Sequence, residues 1–148
     1  MSPRDYAAGV VTERLLMMRQ RLSDLAEVGE ITPERLASDR LLRHAVERIL
    51  TQLVTLATDI NAHVAATVAS VQAADPRTAL SAIARAGVIS ESLATALRPS
   101  IGLRNVLVHE YLEIDLRQVA AAAAEAARDY AAYVRDVSAW ARSGPETH

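Results

Sequence analysis

The chain has no cysteine, no lysine and no phenylalanine. Without cysteine there can be no disulfide, no thiol nucleophile and no Cys-ligated zinc. Without lysine, all sixteen basic residues are arginine, a compositional bias that carries no functional weight by itself. Aromatic residues make up only 3% of the chain, so a core must be assembled from Ala, Leu, Val and Ile. Such small side chains suit closely packed helices and a helix face buried against a second subunit. No run of about 18 apolar residues occurs, and the N-terminus MSPRDYAAGV has an acid at Asp5 and no apolar stretch, so neither a membrane span nor a secretory signal is expected. A cytoplasmic protein is the expectation. Excess positive charge is also missing: sixteen basic against eighteen acidic residues leave a formal charge of −2. A general duplex-binding surface is therefore not expected, and any anion site must be local.

What the chain does have is helical periodicity. Its 148 residues are expected to form one domain, residues 1–148, with 143–148 as a frayed tail. Ser2-Pro3 opens a helix over about residues 3–28, ended by Gly29. Thr32-Pro33 starts a short turn, and Asp39 caps a long helix over about 39–71 with apolar residues at every third or fourth position. Asp75-Pro76 starts a helix to about 86, which Gly87 ends. Ser90-Glu91 opens a short helix that Pro99 is expected to stop at Arg98, and a separate segment runs from Ile101 to Val108. Asp115 caps a last long helix over 116–141, rich in alanine. Nothing alternates with period two, so the fold class is all-α: an antiparallel bundle of three long helices, with short helices bracketing residues 104–111.

Chemistry is concentrated in Arg104-Asn105-Val106-Leu107-Val108-His109-Glu110-Tyr111. On a helix Asn105 and His109 share a face, whereas Arg104 lies roughly 140° from His109. One chain does not aim both at one atom cleanly, and a two-fold dimer meets the difficulty by bringing two copies of the segment to one cleft. Two imidazoles and two guanidiniums are what metal-free RNA cleavage requires. One neutral imidazole deprotonates the 2′-hydroxyl, one imidazolium protonates the 5′-oxygen leaving group, and arginine holds the phosphorane charge. Asn105 would orient His109 or the phosphate, and the product would be a 2′,3′-cyclic phosphate. No metal and no cofactor are expected.

The same stretch, preceded by Ile-Gly-Leu and followed by Leu-Glu-Ile-Asp, resembles the signature of HepT toxins of the HEPN superfamily, Arg-Asn, three residues, His-x-Tyr. The similarity covers roughly residues 38–142, and Asp59-Ile60-Asn61-Ala62-His63 resembles a polar patch of that family. The resemblance implies an all-helical homodimer with metal-independent endoribonuclease activity on RNA, serving as the toxin of a type II toxin–antitoxin pair. It implies a partner too, a minimal nucleotidyltransferase (MNT) antitoxin that silences the toxin by AMPylation of the motif tyrosine, Tyr111.

Plainer readings stand beside these. His109 would simply cap a helix C-terminus, with Arg104 paired to Glu110 or Asp115. Tyr111 would be a packing residue. Asp59 and His63 would be an i, i+4 pair on a solvated or interfacial stripe, with lining of an RNA cleft as the sharper alternative. Met17 and Met18 would pack in the core or a dimer interface, and Arg40, Arg43, Glu47 and Arg48 would form a solvated face. From a different class, the chain would be a non-catalytic helical module that binds a nucleotidyltransferase.

Overall fold

The computed structural model describes residues 3–70, 75–109 and 114–143. Six helices are formed among them: α1 (Pro3–Val28), α2 (Pro33–Ser38), α3 (Arg40–Val68), α4 (Pro76–Arg85), α5 (Glu91–His109) and α6 (Leu116–Ser143). The protein is all-α, and none of its described helices is long and apolar enough to cross a membrane. Residues 144–148, most of the expected frayed tail, lie outside the described residues.

Local chemistry sets most of the boundaries. Thr32 accepts a hydrogen bond from the Arg35 amide and Asp39 one from the Leu42 amide, so α2 and α3 each begin on a side-chain cap. Asp75 does the same for α4, accepting from the Thr78 amide at 2.8 Å and its hydroxyl at 3.0 Å. Gly87 ends that helix at φ +83°, and the Val88 amide closes back on the Ile83 carbonyl at 3.0 Å. Ser70, at φ +52°, turns the chain just after α3, which stops at Val68 and not near residue 71.

Pro99 does not separate two helices. α5 is continuous over 19 residues with Pro99 inside it, which corrects the expected break at Arg98. Proline deprives the Thr95 carbonyl, four residues back, of its helical donor. Both Thr95 and Pro99 are exposed, so water can serve that carbonyl. Leu97, Leu103 and Leu107, spread along the same helix, are buried, each burial stabilising by roughly 1.5–3 kcal/mol. Packing of three leucines along the helix outweighs one lost hydrogen bond at Pro99.

α3 touches every other helix. Its stripe Val46, Leu50, Leu53, Ala57, Ile60 and Val64 is buried, as the spacing predicts. Contacts of Arg14 with Asp59 and of Arg21 with Gln52 set α1 antiparallel to it. On α1, Met18 is fully buried while Met17 is 45% exposed, so only one of the methionines belongs to the core. Arg43 pairs with Glu47 at 2.9 Å, both side chains partly buried, whereas Arg40 and Arg48 are exposed.

The α4 cap supplies a pH test. The hydrogen bonds from the Thr78 amide and hydroxyl hold the Asp75 carboxyl below its ordinary range. A depressed carboxyl stabilises the fold above its unfolded value near pH 4, and the contribution is lost as pH falls through the folded value. Asp75→Asn keeps a capping oxygen but cannot titrate. Melting temperatures should favour the wild type at pH 7, and its margin over Asp75→Asn should shrink as pH falls below about 4; a pH-independent gap would refute the linkage.

Candidate active site

The C-terminal half of α5 carries two different faces. Leu103 and Leu107 point into the core, whereas Asn105 and Val108 are exposed, Val108 to 43%. Helical periodicity assigns position 109, the last residue of α5, to the Asn105 face. The side chain of His109 lies outside the described residues, as do Glu110 and Tyr111.

Arg104 is half-buried on the flank between these faces. Its Nε donates to Thr55 Oγ1 on α3 at 3.0 Å. Anchoring through Nε leaves the outer edge of the guanidinium, Nη1 and Nη2, without a hydrogen bond among the described residues, and that edge is the one that matches two phosphate oxygens. The proposed pairing of Arg104 with Asp115 does not form. Asp115 instead bonds Arg117, whose amide donates to it at 2.9 Å, at the start of α6.

Thr55 extends the polar stripe of α3 backwards. Thr55, Asp59 and His63 are spaced i, i+4, i+8 and lie in a row. Asp59 accepts from Arg14 Nε of α1 at 3.4 Å, with both side chains partly exposed. Such a pair contributes at most about 1 kcal/mol, so its effect is to orient Asp59. A polar seam thus crosses three helices, from Arg104 through Thr55 and Asp59 to Arg14, with half-buried His63 one turn further on. Thr55 and Arg14 are absent from the sequence-level site. Thr55 was findable from the i−4 spacing to Asp59, but Arg14 had no local signal.

Asn61, in the middle of the same patch, belongs elsewhere. It is 4% exposed and accepts the Tyr133 hydroxyl of α6 at 2.5 Å. Roughly 200° of helical rotation separates it from Asp59 and from His63, so it locks α3 to α6 while they face the seam.

An all-α bundle whose penultimate long helix ends in Arg-Asn-x3-His, beside a polar seam on its central helix, defines a protein of the HEPN superfamily. More narrowly, the chain belongs to the HepT-like ribonuclease family, whose model, described as ribonuclease HepT-like, matches residues 18–137. Among curated relatives, the tRNA nuclease HepT of Aphanizomenon flos-aquae (strain 2012/KM1/D3) is 30% identical over 131 residues, 88% of this chain and 89% of that protein. Two solved structures share the fold. One is the tri-AMPylated Shewanella oneidensis HEPN toxin in complex with MNT antitoxin, with a TM-score of 0.78 at 19% identity over 88% of this chain and 97% of that one. The other is a toxin–antitoxin with AMP-PNP, with a TM-score of 0.79 at 19% identity over 88% and 98%.

Proposed function

We propose that the chain is the toxin of a type II toxin–antitoxin pair and acts as a metal-independent endoribonuclease. The observation that carries this reading is Arg104, held by Thr55 with its outer guanidinium edge free to take a phosphate, five residues before His109 in a member of the HepT-like ribonuclease family. Two copies meet through the exposed Asn105–Val108 face of α5, so that one shared cleft on the two-fold axis receives two imidazoles. One His109 accepts the proton of the ribose 2′-hydroxyl while the 2′-oxygen bonds to phosphorus. The bond from phosphorus to the 5′-oxygen breaks, and the second His109, protonated, donates its proton to that oxygen. Arg104 from each copy carries the charge on the phosphorane oxygens. Asn105 orients His109, and Asp59 and His63 line the cleft behind Thr55. The products are a 2′,3′-cyclic phosphate and a free 5′-hydroxyl.

Silencing falls to a cytoplasmic partner, a minimal nucleotidyltransferase. Its chemistry joins the Tyr111 phenol oxygen to the α-phosphate of ATP and releases pyrophosphate. An AMP so placed blocks the cleft and repels RNA phosphates. The tri-AMPylated state of the structurally similar Shewanella oneidensis HEPN toxin, in complex with MNT antitoxin, supports this reading.

The test of the activity is cleavage of RNA by purified protein in excess EDTA, with the product ends identified. Cleavage leaving cyclic phosphate ends is expected; activity that vanishes with EDTA and returns with a divalent metal would refute metal independence. For the modification, co-expression with a cognate minimal nucleotidyltransferase should add the mass of one or more AMP units. Tyr111→Phe should abolish that gain, and a gain retained in Tyr111→Phe would move the modification elsewhere.

A further inference from the structure

α5 and α6 do not close on each other along their whole length. They are tied by the hydrogen bond between Ser100 and the Tyr130 hydroxyl, 2.6 Å long. A cavity of about 250 Å³ runs along this contact from Ala96 past the tie, whose Ser100 and Tyr130 help to line it, to Leu107 near the C-terminal end of α5. Leu50 and Val54 of α3 form its floor, Leu103 one wall and Ala122 the other. The alanine-rich stretch of α6 has no side chains long enough to fill it. Arg104 stands on its α5 edge, and the α6 edge carries Gln118, Glu125 and Asp129.

We infer that this cavity is a subsite for one nucleobase bearing an exocyclic amino group, adjoining the phosphate held by Arg104. The inference rests on the reading of Arg104 as the phosphate clamp. Size comes first: the volume lies just under the roughly 300–1,000 Å³ of sites for drug-sized ligands, and so suits a single flat heterocycle with apolar faces. Charge then decides which one. The α6 edge presents the Glu125 carboxylate and the second oxygen of Asp129, whose Oδ1 accepts from Arg128 Nε at 3.1 Å; these can accept hydrogen bonds from a base amino group, while the α5 edge presents a guanidinium to an attached phosphate. Adenine, cytosine and guanine each offer an exocyclic amino donor; uracil has none and offers carbonyl oxygens on its outer edge, which face the carboxylates unfavourably. The base can come from an unstacked position of an RNA strand or from a free adenine nucleotide, and both use the same contacts.

Full-length protein titrated with AMP, CMP and UMP by calorimetry tests the assignment. AMP and CMP should bind roughly tenfold or more tightly than UMP. Ala122→Trp, which fills the cavity, should abolish AMP binding. Glu125→Gln, at an exposed position that leaves folding untouched, should narrow the preference over UMP. A uridine oligonucleotide with one internal adenosine that displaces AMP identifies an RNA base as the occupant, and AMP binding without displacement identifies the free nucleotide; either supports the subsite. Three results overturn it: equal or absent binding of all three nucleotides, AMP affinity unmoved by Ala122→Trp, or loss of self-association in Ala122→Trp, which would make the groove a seat for a second copy. Cleavage is scored separately. Selective AMP binding without RNA cleavage keeps the subsite and removes the ribonuclease, whereas cleavage without selective binding does the reverse.

Discussion

His109→Ala is expected to reduce RNA cleavage in EDTA by roughly 10⁴-fold or more. General acid–base catalysis contributes about 10²–10⁴ for a positioned group, and in a homodimer one substitution removes both the base and the acid. Arg104→Ala should reduce it by about 10²–10³, the usual loss when one donor to a developing oxyanion is removed. Arg104→Lys should recover little. An ammonium cannot bond Thr55 and still present a flat two-point edge to phosphate. Mixed dimers separate the shared site from two independent ones: a heterodimer of wild type and His109→Ala should lose about 10²–10⁴-fold, the contribution of one positioned group, if the two imidazoles act on one phosphate. Half-activity in the heterodimer would place a complete site in each chain. Circular dichroism of each variant guards against loss of fold, since Asn105 and Val108 beside His109 are exposed and the core of α5 lies on Leu103 and Leu107.

The sequence announces the helix starts because capping is local: Thr32, Asp39 and Asp75 each bond an amide three residues on, so composition and position suffice. Pro99 misleads for the opposite reason. Its local preference is to break a helix, and what overrides it is the burial of Leu97, Leu103 and Leu107 against partners far away in the chain. The site divides along the same line. Arg104, Asn105 and His109 sit within six residues and are legible as a motif, but the support of Arg104 by Thr55 spans 49 residues and the pairing of Asp59 with Arg14 spans 45. Asn61 shows the limit of reading polarity as function. A polar residue within a polar patch faces inward because a tyrosine 72 positions later supplies its hydrogen bond.

That buried pair sets up the largest stability effect. Tyr133→Ala should destabilise the protein by about 4–7 kcal/mol. The aromatic ring, 0% exposed, contributes about 3–5 kcal/mol by packing. The Asn61 carboxamide oxygen loses its donor in a place water does not reach, which adds about 1–3 kcal/mol. Against a typical total of about 5–15 kcal/mol, such a variant should unfold at a markedly lower urea concentration or fail to fold. Tyr133→Phe keeps the ring and isolates the hydrogen bond, so it should lose only about 1–3 kcal/mol. Burial holds the Tyr133 phenol far above its ordinary titration range, so it stays a donor and the loss should be the same from pH 6 to pH 9. A Tyr133→Phe, Asn61→Ala cycle should show coupling between the two sites, and additive losses would mean the bond contributes nothing beyond packing. Because Asn61 fixes the rotation of α3 that turns Thr55, Asp59 and His63 toward the seam, the same cycle should also register in RNA cleavage. Rotational slack in α3 loosens the Thr55 hold on Arg104, so Tyr133→Phe should lower cleavage at temperatures where it remains fully folded; unchanged cleavage there would separate the lock from the site.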